Sequence, residues 1–330
     1  MSVMRHRSFA AALALLCATL TAAAPSAYAA FIPILTEDFE TPSGWTYSGP
    51  TNSSGDPLFQ AIGGRLFAEW DQQNHFDGSG DPYVIAPALY RKPLSLTLTD
   101  ADTFRVSVLL ELGGVTDTTE FFQIANFGLY NVALHGADRA MSDNWSGNTT
   151  LVKDGSDFVE FNYFINNKSF GFNPSISAVI GAHIAGVTGD YTTGSGADPF
   201  FNNTDMGPDH WLPGETDLYV RLTYYGAAGD ATRRRAHVGI YTDAGFTTLL
   251  VVNGATMSYW TQPLPESKGF TLTDVAFYNY PGANWGGTPG AGYGLFDDLT
   301  VEVVPEPGAA GLLAAGLAAA VRAARRRRAG

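Results

Sequence analysis

Short apolar runs separated by clusters of turn residues are the feature that most constrains the fold of this 330-residue chain. In the run 220–225, Val220, Leu222 and Tyr224 alternate with other residues, so they share one face of an extended strand. Similar runs occupy 104–112, 158–165, 238–242, 248–252 and 270–278. This alternation with period two indicates β-strands that bury one face.

Turn-forming clusters stand between these runs, at 113–114, 166–167, 228–230 and 286–287. The 37 Gly and 18 Pro residues disfavour long helices, and no helical periodicity is interleaved with the strands. Many short strands with glycine-rich turns predict an all-β protein, here a single jelly-roll β-sandwich. We expect it to span residues 30–303.

The composition excludes two other classes of protein. Hydrophobic residues make up 45% of the chain and charged residues only 15%, which excludes a disordered chain. The formal net charge of -13 disfavours binding to the phosphates of nucleic acid.

The N-terminal residues 1–29 have the layout of a secretory signal peptide. Arg5 and Arg7 precede an apolar run at 9–20, and Ala27-Tyr28-Ala29 forms a cleavage site. We therefore expect the chain to be a secreted protein that passes through the Sec translocon. Because Cys17 is the single cysteine and lies in this segment, the mature chain has no disulfide and no thiolate metal site.

The C-terminal segment 304–330 has three parts in order. Pro305, Glu306 and Pro307 come first, then an uncharged apolar run of 14 residues at 308–321. Arg322 and a basic cluster follow it; the cluster consists of Arg325, Arg326, Arg327 and Arg328. The run predicts a short transmembrane helix of about 21 Å, shorter than the roughly 30 Å hydrocarbon core. A simple membrane anchor or an amphipathic tail is the alternative.

This tripartite tail resembles the PEP-CTERM sorting signal, whose Pro-Glu-Pro motif corresponds to 305–307. The resemblance implies a Gram-negative bacterium and processing by an exosortase. It also implies an inner-membrane-anchored intermediate, followed by export to the cell surface or extracellular matrix, often alongside exopolysaccharide.

The two ends of the predicted domain carry a second resemblance. Residues 37–40, 44–45 and 295–301 are similar to the terminal strands of jelly-roll carbohydrate-binding modules and concanavalin A-like (laminin-G-like) domains. The resemblance implies that the first and last strands lie side by side. It also implies a structural calcium ion held by acidic residues there.

Three acidic residues are the candidate calcium ligands: Glu40, Asp297 and Asp298. Uninterrupted alternation places Asp297 on the same face as Leu299 and Val301, toward the core. A carboxylate there must be hydrogen-bonded, paired or bound to metal, and calcium prefers such oxygen ligands. The alternative is that these acids cap turns by accepting backbone N–H groups.

The sequence gives no convincing catalytic residue. Paired carboxylates spaced as in glycoside hydrolases are missing, as are lyase, serine-hydrolase and zinc-protease motifs. The arginine run 233–235 is interpreted as a solvated loop. A polysaccharide hydrolase or lyase on the same sandwich stays open as an alternative, and so does a purely structural or adhesive protein.

Four tryptophans flanked by polar residues are the candidate carbohydrate-binding residues: Trp145, Trp211, Trp260 and Trp285. Indole rings can stack on sugar faces, although they can equally fill the ends of a sandwich. Residues 30–303 carry 12 Lys and Arg against 31 Asp and Glu, a net charge of -19. This acidity favours a neutral polysaccharide over an anionic one. The sequence thus predicts an exported, non-catalytic protein that binds carbohydrate or associates with exopolysaccharide.

Replacing Pro305, Glu306 and Pro307 together with alanine tests the sorting signal. We expect the precursor to stay in the inner membrane, because the exosortase no longer recognises the tail. Immunoblots of inner-membrane, surface and medium fractions measure this. Wild-type efficiency of surface delivery in the variant would contradict the exosortase interpretation.

Overall fold

The computed structural model describes residues 30–52, 54–71, 88–115, 122–131, 157–165, 175–182, 191–192, 212–226, 233–261, 263–264, 269–280 and 291–304. Tertiary contacts group Pro33–Val303 into one compact unit. All regular structure in the described ranges is β-strand, which confirms the all-β prediction. Nowhere in these ranges is there a helix with the length and apolar character needed to cross a membrane.

The described ranges contain seventeen β-strands. They are β1 Ile32–Glu37, β2 Thr46–Ser48, β3 Phe59–Ile62, β4 Arg65–Asp71, β5 Ala88–Thr99, β6 Phe104–Gly113, β7 Phe122–Tyr130, β8 Phe158–Ile165, β9 Ser175–Ala182, β10 Tyr191–Thr192, β11 Leu218–Tyr225, β12 Arg235–Tyr241, β13 Val251–Val252, β14 Ala255–Thr256, β15 Ser258–Trp260, β16 Thr271–Tyr280 and β17 Ala291–Val303.

Two large sheets and one small hairpin account for these strands. The eight-stranded sheet has the order β15-β12-β11-β6-β17-β4-β3, with β1 also paired to β17. The seven-stranded sheet has the order β10-β9-β8-β7-β16-β5-β2, and β13 pairs only with β14. The first and last strands thus lie side by side, as the resemblance implied.

The two large sheets pack face to face, and the hydrophobic core lies between them. Each strand contributes alternate residues to this core. Val220, Leu222 and Tyr224 of β11 are fully buried, which confirms the predicted inward face of that strand. Phe277 of β16 and Phe296 of β17 meet across the sandwich, with ring centroids 4.6 Å apart. The sandwich prediction is therefore correct.

A β-bulge in β17 overturns one detail of the sequence interpretation. Asp297 pairs with Leu109 of β6, but the next pair is Thr300 with Ser107, so β17 holds an extra residue. Asp298 occupies that position with a φ of 50°, and its side chain is exposed. The bulge shifts the alternation by one residue. Asp297 consequently lies on the outer face, whereas Leu299 and Val301 are buried, so the predicted shared face is wrong.

The strand prediction at 248–252 was also too long. Only Val251–Val252 forms strand β13, and Leu249 makes a single bridge to Tyr241. The preceding residues instead form a turn closed by Asp243, whose carboxylate accepts the backbone N–H groups of Thr247 and Thr248.

Alanine substitutions at Leu295 and Leu299 test the change of face across the bulge. Leu299 is fully buried, so Leu299→Ala should lower the free energy of unfolding by about 2–5 kcal/mol through cavity formation. Leu295 precedes the bulge and is only half-buried on the outer face, so Leu295→Ala should cost about 1 kcal/mol. Urea denaturation measures both. Equal losses would indicate uninterrupted alternation.

Candidate functional site

The outer face of the eight-stranded sheet, the face turned away from the core, carries the polar and aromatic side chains of the candidate site. Strand pairing aligns these side chains in rows across five strands. One row runs through Trp260, His237, Thr223, Arg105 and Glu302, which are consecutive partners on β15, β12, β11, β6 and β17.

A second row lies next to the first and is rich in hydroxyl groups. It runs through Ser258, Gly239, Arg221, Ser107 and Thr300 on the same five strands. A Cβ atom on Gly239 would lie 2.7 Å from the Tyr241 hydroxyl oxygen. Glycine at this position therefore lets the Tyr241 ring lie close over the sheet beside Arg221.

A cleft of about 630 Å³ opens on this face. Its floor is formed by β6, β11 and β17, and the segments 36–38 and 244–246 stand on either side. The lining residues are Thr36, Glu37, Asp38, Arg105, Ser107, Val108, Leu109, Tyr219, Arg221, Ala244, Gly245, Phe246, Asp298, Leu299, Thr300 and Glu302. The cleft is thus bounded mainly by polar groups on a rigid sheet.

Arg221 is held in the cleft by stacking and by one hydrogen bond. Its guanidinium carbon lies 3.6 Å from the centroid of the Phe246 ring, and its Nε donates to Ser107 Oγ at 3.4 Å. The Asp243 turn positions Phe246, which also contacts the rings of Tyr219 and Tyr241. Burial, and then the positive charge of Arg105, lower the pKa of Arg221. Its guanidinium nevertheless stays protonated at any physiological pH.

Arg105 and Glu302 form a two-pronged ion pair on the cleft floor. Arg105 Nη2 donates to Glu302 Oε1 at 2.9 Å, and Arg105 Nε donates to the other carboxylate oxygen. Their side chains are 23% and 14% exposed, so solvent screens this pair only in part. Both oxygens of the Glu302 carboxylate are therefore already hydrogen-bonded to the Arg105 guanidinium.

Of the four tryptophans predicted to bind carbohydrate, Trp260 is the one within the described ranges, and it lies at the end of the first row. It is 40% exposed on edge strand β15. Tyr225 stacks on it at 5.4 Å, His237 contacts it at 4.5 Å, and the Arg235 guanidinium lies 4.1 Å from its ring. The indole is thus on the open face of the sheet and does not fill an end of the sandwich.

His237 beneath this tryptophan is held as a neutral ring. Its Nε2 lies 2.8 Å from Ser258 Oγ. Burial, and then the charge of Arg235, lower the pKa of His237. The aromatic end of the face is therefore built from groups that do not change charge near neutral pH.

The three predicted calcium ligands do not form a cluster in the structure. The Glu40 carboxylate lies against the β3–β4 turn, where it occupies the space that a Cβ on Gly64 would take. Asp297 Oδ1 accepts the backbone N–H of Asp298 at 2.7 Å, and Asp297 Oδ2 lies 3.9 Å from Arg65 Nε. Among the residues that the structure describes, no group of three or more His, Cys, Asp or Glu side chains is arranged to hold a metal ion. Calcium binding stays a prediction.

The charged form of the Asp297 side chain is electrostatically unfavourable at this position. Burial is the first cause that raises its pKa, and the neighbouring charges of Asp298 and Asp38 add to this effect. The Asp298 backbone N–H and Arg65 act in the opposite direction but do not cancel it. The folded state therefore favours the protonated form of Asp297 more than the unfolded chain does.

The other sequence-predicted site residues lie outside the described residues. These are Trp145, Trp211, Trp285, Pro305, Glu306, Pro307, Arg325, Arg326, Arg327 and Arg328.

Sequence reasoning missed Arg221 and Phe246. Period-two alternation in β11 placed Arg221 opposite the buried residues, and this could have identified it. No local signal places Phe246 over it, because the contact depends on the turn formed by 243–248.

The sequence matches no protein-family model and no curated protein. Solved structures with a similar fold include a mutant of alginate lyase Aly36B in complex with alginate trisaccharide, with 12% identity, a TM-score of 0.45, and coverage of 84% of this chain and 100% of that one. The carbohydrate recognition domain of Emp47p has 11% identity, a TM-score of 0.43, and coverage of 83% and 99%. Peanut lectin has 11% identity, a TM-score of 0.37, and coverage of 82% and 99%. At these values the similarity is one of fold class, and nothing about ligand or activity follows from it.

Replacing Asp297 with asparagine tests its environment. A raised pKa means that stability falls as pH rises from the unfolded-state value through the folded-state value, and this loss persists at neutral pH. Asp297→Asn keeps an oxygen acceptor for the Asp298 N–H and removes the charge. We expect a higher Tm at pH 7 in EDTA, and little change at pH 3.

Calcium binding by Asp297 would give the opposite change in Tm in the same experiment. If Asp297 ligates calcium, its replacement lowers Tm when calcium is present and has no such effect in EDTA. Differential scanning fluorimetry under both conditions distinguishes the two cases.

Proposed function

We propose that this protein is an exported, non-catalytic carbohydrate-binding protein whose glycan lies on the outer face of the eight-stranded sheet. The observation that carries the proposal is one continuous face with an exposed aromatic platform at Trp260 and a polar cleft at Arg221. The two are adjacent, because Trp260 is two strands away from Arg221 and one row along.

The chemistry of this face suits a sugar chain. Sugar rings present C–H groups that pack on aromatic rings and hydroxyls that need hydrogen-bonding partners. The indole of Trp260 is 40% exposed and supplies an aromatic surface, with Tyr225 stacked against it and the Arg235 guanidinium 4.1 Å from its ring. Ser107, Thr300 and Asp298 supply hydroxyl and carboxylate groups along the cleft. Ligand sites of this kind combine an apolar platform with a few placed polar groups.

Two carboxylates of the cleft, those of Glu302 and Glu37, make contacts that favour binding over hydrolysis. Glycoside hydrolysis needs one carboxylic acid that donates a proton and a second carboxylate on the other side of the bond. Glu302 is tied to Arg105. Glu37 accepts the Trp45 indole N–H at 2.8 Å and the Lys92 ammonium at 2.9 Å. Both glutamates are therefore already engaged by cationic or N–H donors of the protein.

The export part of the proposal rests on the sequence of residues 1–29 and 304–330. A signal peptide directs the chain through the Sec translocon, and the Pro-Glu-Pro tail makes it an exosortase substrate. A carbohydrate-binding face fits delivery to a polysaccharide-rich surface or matrix. A calcium ion is not needed for any contact in this proposal.

Trp260→Ala tests the proposal directly. A glycan array probed with the full chain first identifies the bound sugar, and calorimetry then measures Kd for the variant. We expect a loss of about fivefold or more, because an aromatic stacking contact contributes about 1 kcal/mol. Tm should change little, since Trp260 is 40% exposed on an edge strand.

Ile62→Ala is the matched control, because Ile62 is 55% exposed on β3, at the far edge of the same sheet. It should leave Kd unchanged. Absence of binding to every arrayed glycan would overturn the carbohydrate-binding function. Release of shortened oligosaccharides from a bound glycan would instead support the hydrolase or lyase alternative.

A further inference from the structure

We infer that the cleft recognises a carboxylated sugar residue, and that Arg221 is the residue that binds its carboxylate. This inference rests on the proposed carbohydrate-binding function and narrows it to glycans that contain uronic acid. It differs from the neutral polysaccharide expected from net charge.

The balance of charge on the cleft floor is the first observation. Two guanidinium groups, those of Arg105 and Arg221, line the cleft, and the charge of Arg105 is one of the causes that lower the pKa of Arg221. Glu302, which pairs with Arg105 across β17 and β6, is bound by Arg105 through both of its carboxylate oxygens. One positive charge is therefore left without a bound carboxylate on the floor of the cleft.

The orientation of Arg221 is the second observation. Phe246 covers one face of its guanidinium, and Nε is used by Ser107. Neither terminal nitrogen donates a hydrogen bond to any residue within the described ranges, and Arg221 forms no ion pair there. A partly buried guanidinium with two free N–H edges is pre-organised for a planar anion, which it binds through two parallel hydrogen bonds.

The groups around Arg221 fit the rest of a uronic acid residue. Ser107 and Thr300 lie beside it in the same row and can donate to or accept from ring hydroxyls. Asp38 and Asp298 line the cleft as well, and carboxylates accept hydrogen bonds from sugar hydroxyls. The cleft thus offers a guanidinium for a carboxylate and several acceptors for hydroxyl groups.

The acidity of the whole domain does not oppose this inference. Charges farther than about 8 Å are largely screened at physiological ionic strength, so the groups nearest to Arg221 decide the sign of what it binds. Within that range Arg221 faces a neutralised Arg105–Glu302 pair. The ligand's carboxylate would also relieve the mutual repulsion of the two arginines.

The test uses uronic acid trisaccharides and their methyl esters, which keep the ring and linkage and lose only the charge. Trigalacturonate, triglucuronate and trimannuronate are each titrated into the full chain by calorimetry. We expect at least one acid to bind ten times or more tightly than its own ester, because charged hydrogen bonds contribute about 1.5–3 kcal/mol.

Arg221→Gln should abolish the difference between acid and ester. Arg233→Gln is the matched control, because it removes one positive charge from a residue that does not line the cleft, and it should preserve the difference. If Arg221→Gln does not fold, Arg221→Lys serves in its place. It keeps the charge without the planar fork, so it should weaken acid binding at least threefold and leave ester binding unchanged.

The outcomes separate this inference from the proposed function. Equal affinity for every acid and its ester, or an acid preference that survives in Arg221→Gln or undiminished in Arg221→Lys, overturns the role of Arg221. In that case binding of the esters or of arrayed neutral glycans leaves the carbohydrate-binding function standing. If no acid, ester or arrayed glycan binds, both fail together.

Discussion

The β-bulge at Asp297 and Asp298 in the last strand is the constraint on which the outer face depends. β17 is paired on both sides, with β6 along most of its length and with β4 along its first half. The extra residue shifts the alternation, so Thr300 and Glu302 point outward while Leu299 and Val301 enter the core. Without the bulge, Glu302 would be directed into the apolar core, and Arg105 would lack its partner. The left-handed backbone of Asp298 costs about 1–2 kcal/mol for most residues, and Asp tolerates it better than most.

The ion pairs on this face matter more for orientation than for stability. Arg65 contacts Glu111 at 2.7 Å, and its guanidinium also reaches Asp297 on β17. Such partly exposed pairs contribute little to the free energy of folding, typically about 0–1 kcal/mol. They do fix the directions of the side chains and engage the carboxylates of Glu111 and Glu302. Arg221 is instead held by stacking on Phe246, which leaves its charge available to a ligand.

Period-two alternation predicted much of the sandwich because burial of one face imposes that pattern. It placed the inward residues of β11 correctly and identified β8 with its observed ends. It failed at β17, because a bulge changes the register without changing composition, and only the partners on β6 reveal it. The resemblance at the two ends correctly implied adjacent terminal strands. Among the acidic residues there, Glu37 accepts hydrogen bonds from Trp45 and Lys92, and calcium binding by Glu40, Asp297 and Asp298 stays a prediction.

The arginine run 233–235 shows why charge alone does not assign a residue to solvent. Arg234 is 5% exposed, and its guanidinium bonds the carboxylate of Asp100 and the carbonyl of Leu264. Arg235 opens β12 and lies against Trp260. The expectation of a solvated loop was wrong because the start of a strand sends neighbouring side chains in opposite directions. Partners far along the chain, which no local pattern contains, decide which arginine is buried.

Pairing between strands also gives the outer face two chemically different ends. Trp260 and Glu302 end a single row over five strands, and at about 4.8 Å between strands the row is roughly 19 Å long. Its aromatic end holds Trp260 and the neutral His237, with the Arg235 guanidinium against the indole, whereas its other end holds the Arg105–Glu302 ion pair. A chain molecule laid across the strands would therefore meet an aromatic ring at one end and a guanidinium farther along. A molecule laid along one strand would meet only one of the two. The arrangement favours an extended polymer bound across the sheet over a compact ligand bound at a single residue.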